Sequence, residues 1–267
     1  MNVESLMDLG MDKLFLFFTT MLLCFARFIG FMLLGPLWGS AHIRPPIKVG
    51  FSALLVIIIW PFIPIPSELP GGPIMLILLV AIQIFVGFVI SYVSHILLAI
   101  SQFGGQVIDI QTGLSSAVAQ DPIAKDRVNL IHRVKLYLTL MVFLSLNGHL
   151  NMIKAIVRSF EVVPLTGARL SGAFIHQLIT MTSEIFLIGI QIAMPVMGAL
   201  FIVQIALGIM ARVAPQMNVF MLSFPLNILV GLSLLIAAMP VFVRRLEPII
   251  SDNLHYVMRA IEYMIPK

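Results

Sequence analysis

Apolar residues gather into six long stretches along the chain: Leu14 to Trp38, Ile47 to Phe62, Ile74 to Ile100, Val134 to Leu146, Phe174 to Met210 and Val213 to Val243. A bilayer-crossing helix needs about 20 predominantly apolar residues. By that measure Val134 to Leu146 is short, and Phe174 to Met210 is too long for one simple span. Proline interrupts the later stretches, with Pro195 in the fifth and Pro215, Pro225 and Pro240 along the sixth. Each removes an amide donor and crowds the preceding turn, which predicts a kink or break. Broken backbone at membrane depth must be covered by protein or line a watery cavity, so these helices are expected to pack against other protein.

The segments between the stretches differ in character. "PFIPIPSELPGGP" reads as a rigid proline-rich turn. In "RRLEPIISDNLHYVMRAIEYMIPK", residues Ile250, Leu254, Val257, Met258, Ile261 and Met264 follow helical spacing, with Arg244, Arg245 and Arg259 elsewhere. That predicts an amphipathic helix lying on a membrane surface or on a partner. "GGQVIDIQTGLSSAVAQDP", from Gly104 to Pro122, is too polar for a bilayer span and too apolar for an ordinary exposed loop. Its acidic residues, Asp109 and Asp121, are expected in turn or helix-capping roles.

Composition places the whole chain in the membrane class. It is 60% hydrophobic and 10% charged, with a mean hydropathy of +1.07, against roughly 45–50% apolar and about 25% charged in soluble domains. The expected fold is therefore all-α: hydrophobic, proline-broken helices and hairpins of integral-membrane type, forming one domain over residues 1–267. The N-terminus carries Glu4, Asp8 and Asp12 against Lys13, unlike the basic start of a cleavable signal peptide, so the first apolar stretch is expected to remain in the mature protein. If all six stretches crossed the bilayer, and Lys48 and Lys135 just inside two of them were counted with the neighbouring connections, Lys and Arg would divide eight against seven between the two sides. That absence of bias argues for an unconventional topology. The net charge of +4 without a basic run gives no reason to expect nucleic acid and leaves membrane lipid as the natural counterpart.

Little in the chain resembles catalytic chemistry. Cys24 is the single cysteine and reads as a small apolar filler. The six histidines lack the His-x-x-x-His spacing that places two imidazoles on one helical face, so no metal site is expected. No phosphate-binding glycine loop is present, and no nucleophile, base and orienting group form a recognisable set, so neither a cofactor nor an enzyme activity is expected. Seventeen methionines suit either ordinary core filling or compliant packing against partner subunits. Two charges lie inside apolar stretches, Arg27 in the first and Glu184 in the fifth. A buried charge costs several kcal/mol unless paired or hydrated, so both are candidate functional residues. They could neutralise each other, meet polar groups of a partner, or snorkel to water from a helix end. On a substrate path they would fit a secondary transporter, although the inverted repeats of that class are not evident.

Four segments together resemble one family. "ARFIGFMLLGPLWG", "GGQVIDIQTGLSSAVAQDP", "LNGHLNMIKAIVRSFEVVP" and "ARVAPQMNVFMLSFPLNILVGL" are similar, in order and spacing over nearly the whole chain, to the FliR family of flagellar export proteins and its SctT relatives in virulence secretion. Arg212, Pro215, Gln216, Asn218 and Pro225 fall in the last of them. The resemblance implies an export-gate subunit without a catalytic site, assembled with FliP-like and FliQ-like subunits and contacted by an FlhB-like one. Unfolded flagellar proteins would pass through the channel so formed, at the flagellar basal body in the bacterial inner membrane. Helices of such subunits pack on one another and rise toward the periplasm, which would account for the missing charge bias. The resemblance also makes Gln106 to Pro122 a loop that protrudes into the pore and helps plug it. It assigns plug roles to Gln106, Ile110, Gly113, Leu114, Ser116, Ala119, Asp121 and Pro122; some relatives carry bulky aromatics where Ser116 and Ala119 stand here.

Overall fold

The structure, a computed structural model, describes residues 3–40, 43–63, 72–113, 130–167 and 171–264. Among them every long element is a helix: α1 (Val3–Leu34), α2 (Pro45–Ile59), α3 (Pro73–Thr112), α4 (Leu130–Ser145), α5 (Gly148–Val162), α6 (Gly172–Val213), α7 (Val219–Ser251) and α8 (Asn253–Glu262). Among the described residues, five segments are long and apolar enough to cross a membrane by length and composition: Lys13–Leu34, Pro45–Phe62, Pro73–Thr112, Gly172–Val213 and Met221–Ser251. Counting α4 and α5 together as one broken span makes a sixth. The all-α, membrane-type fold read from the apolar stretches is the one observed.

The short fourth stretch is α4, and it ends where Asn147 takes up left-handed backbone at φ 55°. Asparagine tolerates this region better than most residues. Its carbonyl accepts the amides of Leu150 and Asn151 at 3.0 and 3.1 Å, starting α5 afresh. Of the two expected outcomes, a kink or a break, the prolines do not all give a break. Pro215 does separate α6 from α7, but Pro195 lies inside the 42-residue α6, and Pro225 and Pro240 lie inside α7. A proline forfeits one backbone bond, whereas unwinding the helix around it in an apolar setting would forfeit several, so the helix persists. At 1.5 Å per residue α6 measures roughly 60 Å, about twice a hydrocarbon core.

The chain forms two compact units. The first comprises residues 1–95, 147–179 and 252–267. Its core includes Leu23, Phe28, Phe31, Val86, Ile90, Met152, Ile156 and Phe160, all essentially inaccessible. α1 and α3 meet through paired glycines: a Cβ on Gly30 would collide with the Ile84 carbonyl, and one on Gly87 with the Arg27 carbonyl. The amphipathic C-terminal segment is helical as its spacing predicts, but the surface it covers is the chain's own α5. Val257, Ala260 and Ile261 are buried there, and Asn253 donates to the Ser94 hydroxyl at 3.2 Å.

The second unit comprises residues 96–146 and 180–251. Ile108, Ile131, Ala193, Val196, Leu200 and Leu235 form its core. Much of α6 and α7 within it remains uncovered, with Ile202 68%, Met221 75% and Ile236 71% exposed. Apolar surface of this extent in one chain needs lipid or partner protein against it.

Candidate functional site

Arg27 occupies the middle of an apolar helix and is fully buried. It does not snorkel. Its Nε donates to Gln83 Oε1 at 2.7 Å, Nη1 to the Ser159 hydroxyl at 3.0 Å and Nη2 to the Val163 carbonyl at 2.8 Å. The guanidinium also lies 4.2 Å from the centre of the Phe160 ring. Gln83 in turn donates to the Leu165 carbonyl at 2.7 Å, and Ser159 to the Ile156 carbonyl at 2.6 Å. The network therefore joins α1, α3, the end of α5 and the turn after it. Every acceptor is neutral, so the positive charge is dispersed over dipoles and an aromatic face and not cancelled by a carboxylate. Glu184 is half-buried and belongs to the second unit.

A second constellation lies where α3 ends. The resemblance makes Gln106 to Pro122 a loop, but Gln106 to Thr112 instead complete α3. The helix runs on because Asp109 and Ile108 both have structural work at its end. Ile108 is fully buried in the core of the second unit, and the Asp109 carboxylate accepts the amides of Ile131 and His132 at 3.0 and 2.9 Å. Those amides belong to the first turn of α4, so Asp109 caps that helix from a neighbouring one and also complements its dipole. Gly113 then stops α3 with φ 78°, a region that favours glycine, and its amide bonds the Ile110 carbonyl at 3.1 Å. Gln106 and Ile110 face outward, Ile110 at 62% exposure. Leu114, Ser116, Ala119, Asp121 and Pro122 lie outside the described residues.

The Gly104–Gly105 pair serves packing and not bending. A Cβ at Gly104 would come within 2.9 Å of the Gly189 carbonyl oxygen, and one at Gly105 within 2.8 Å of His132 Cα. α3 thus touches α6 on one side and α4 on the other, with Thr139 and Ser101 hydroxyls 2.6 Å apart closing the α3–α4 contact. Removing the Asp109 cap with Asp109→Ala should cost about 1–2 kcal/mol. Faster hydrogen exchange at the Ile131 and His132 amides would report it, with Asp109→Asn, which keeps one acceptor, falling between.

The C-terminal motif residues gather at one exposed turn. Arg212 is in the last turn of α6, Pro215 and Gln216 form the turn, and Asn218 caps α7 through its side-chain oxygen to the Met221 amide at 3.2 Å. Pro225 lies within α7. Among the described residues no three His, Cys, Asp or Glu side chains gather to hold a metal ion. Cys24 is free and buried.

Sequence reasoning singled out Arg27 but not Gln83, Ser159 or Lys135. A signal existed for Gln83, a lone amide within the strongly apolar run Ile74 to Val89.

Long apolar helices and a charge buried among neutral acceptors define an all-helical membrane protein. A family profile described as bacterial export proteins, family 1, matches residues 18–252. The chain belongs to that family, within its FliR branch. It is 29% identical over 226 residues to the flagellar biosynthetic protein FliR of Escherichia coli, covering 85% of this chain and 86% of that one. Bacillus subtilis FliR is 30% identical over 234 residues (86% and 90%), and Aquifex aeolicus FliR 26% over 249 residues (93% and 95%).

Proposed function

We propose that this chain is a core subunit of a flagellar type III protein export gate, which lines and plugs the channel through which unfolded flagellar proteins leave the cell. The observation that carries the plug is the pair of devices at its base. Asp109 ties the end of α3 to the start of α4, and Gly113 turns the chain out of α3. Gly113 and the start of α4 are thereby held at one platform, a base suited to a plug between them. The bare apolar flanks of α6 and α7 support the rest of the reading, since they offer surface for FliP-like, FliQ-like and FlhB-like neighbours and for lipid. On this reading the protein resides in the bacterial inner membrane at the flagellar basal body, with part of the assembly raised toward the periplasm, and it performs no catalysis.

The test replaces Leu114 to Gln120 with a Gly-Ser linker of equal length in the full protein. Co-purification with FliP-like and FliQ-like subunits is expected to persist while membrane conductance to small ions rises. Unchanged conductance in a fully assembled complex would remove the plug role. A wild-type chain that functions alone or as a homo-oligomer would favour a transporter instead.

A further inference from the structure

The second unit contains a cleft of about 390 Å³ between α4, α6 and α7. Its chemistry is uneven. Lys135 and Arg245 both line it, whereas Ile188, Ile192, Leu235 and Met239 furnish apolar wall, and no acidic residue is among the described lining. Lys135 is 2% exposed, and its ammonium rests 4.9 Å from the centre of the Phe242 ring. Arg245 follows Phe242 by three residues on α7, so both cations share one end of the cleft. Leu235 and Met239 precede Phe242 by seven and three residues, and so carry the apolar wall away from that end along the same helical face.

A ring face attracts an ammonium but supplies no oxygen acceptor for its three protons. The Asp109 carboxylate, in the same unit, accepts the Ile131 and His132 amides. The site therefore has cationic donors at one end, a hydrocarbon-like wall beyond them, and space for a slender occupant. Two cations, no acidic residue in the lining and an apolar wall beyond them match a ligand with an anionic head and a hydrocarbon tail.

We propose that this cleft binds an anionic phospholipid of the surrounding bilayer, with its phosphate between Lys135 and Arg245 and an acyl chain along Ile188, Ile192, Leu235 and Met239. Phosphate bridging the two cations gains charge-assisted hydrogen bonds that neither cation obtains within the cleft wall. The proposal does not depend on the export reading.

The full-length chain, extracted from its own membrane with whatever subunits accompany it, provides the test. Phosphatidylglycerol is expected to survive detergent exchange and to raise the unfolding temperature on re-addition. Phosphatidylcholine and inorganic phosphate should do neither. Arg245→Gln changes an exposed side chain and should weaken phosphatidylglycerol retention about tenfold, equivalent to ~1.4 kcal/mol, with Lys135→Gln adding to the loss. Arg245→Gln alone decides the matter if Lys135→Gln does not fold. Equal retention of phosphatidylcholine, or undiminished retention by Arg245→Gln, would overturn the proposal. A response to inorganic phosphate alone would make it a free-anion site, and a photo-crosslinker at Met239 that captures a polypeptide would make it a protein interface.

Discussion

Arg27→Met is expected to lower stability by about 3–5 kcal/mol, enough to deplete the folded protein from the membrane. The substitution roughly preserves a long unbranched shape, so the penalty comes from what is left behind. Gln83 Oε1, the Ser159 hydroxyl and the Val163 carbonyl each lose a donor at 2.7 to 3.0 Å in a fully buried setting. Arg27→Lys should rescue little, because one ammonium cannot reproduce a planar fork that serves three acceptors while lying 4.2 Å from the centre of the Phe160 ring. The triple replacement Arg27→Met, Gln83→Leu, Ser159→Ala should recover a good part of the loss, since it removes unsatisfied side-chain partners along with the charge. Thermal unfolding in detergent and steady-state abundance would measure all three. If Arg27→Met matched the wild type within ~0.5 kcal/mol, the network would be incidental to stability.

The pattern of apolar residues located the helices because their burial requires it, but it could not supply their continuity. Pro195, Pro225 and Pro240 read as kinks or breaks because a proline's local cost is visible in sequence; that the helices run on through all three reflects the larger cost of unwinding among apolar neighbours, a property of the surroundings. Asn147 shows the converse. The Asn-Gly pair in "SLNGHL" is a turn signal that the apolar pattern passes over, and the left-handed φ of Asn147 divides α4 from α5.

The site was legible in its charged members and opaque in their partners. Arg27 stands out as a charge in an apolar run, and of the turn or helix-capping roles expected for Asp109 the structure shows capping. Gln83 and Ser159 are 56 and 132 residues away from Arg27, and only the folded chain brings them to it. Periodicity likewise could not say that α8 would lie on α5, because an amphipathic face specifies burial without naming what buries it. The glycines of "GGQVIDIQTG" divide by physical role in a way composition hides. Gly104 and Gly105 admit neighbouring backbones, whereas Gly113 is needed for its positive φ.

Gly87→Ala tests the other foundation of the first unit, the crossing of α1 and α3. A Cβ there would overlap the Arg27 carbonyl oxygen and lie 2.7 Å from the Phe31 amide nitrogen. Both obstacles are backbone, so no side chain can rotate away and the helices must separate. Gln83 is one turn before Gly87 on α3, and Arg27 is the very residue displaced, so their 2.7 Å hydrogen bond would stretch as the crossing opened. The expected cost is about 1–3 kcal/mol from overpacking, with part of the Arg27 network lost in addition. Gly30→Ala, which meets the Ile84 carbonyl from the opposite helix, should behave alike. Gly50→Ala supplies the contrast. That glycine lies within α2, and a Cβ on it meets nothing within 4 Å. There the same methyl should stabilise by about 0.5–1 kcal/mol through helix propensity alone. Thermal unfolding of the three variants should therefore move in opposite directions, two down and one up. A uniform gain would mean that the glycines at the crossing are not holding the helices together.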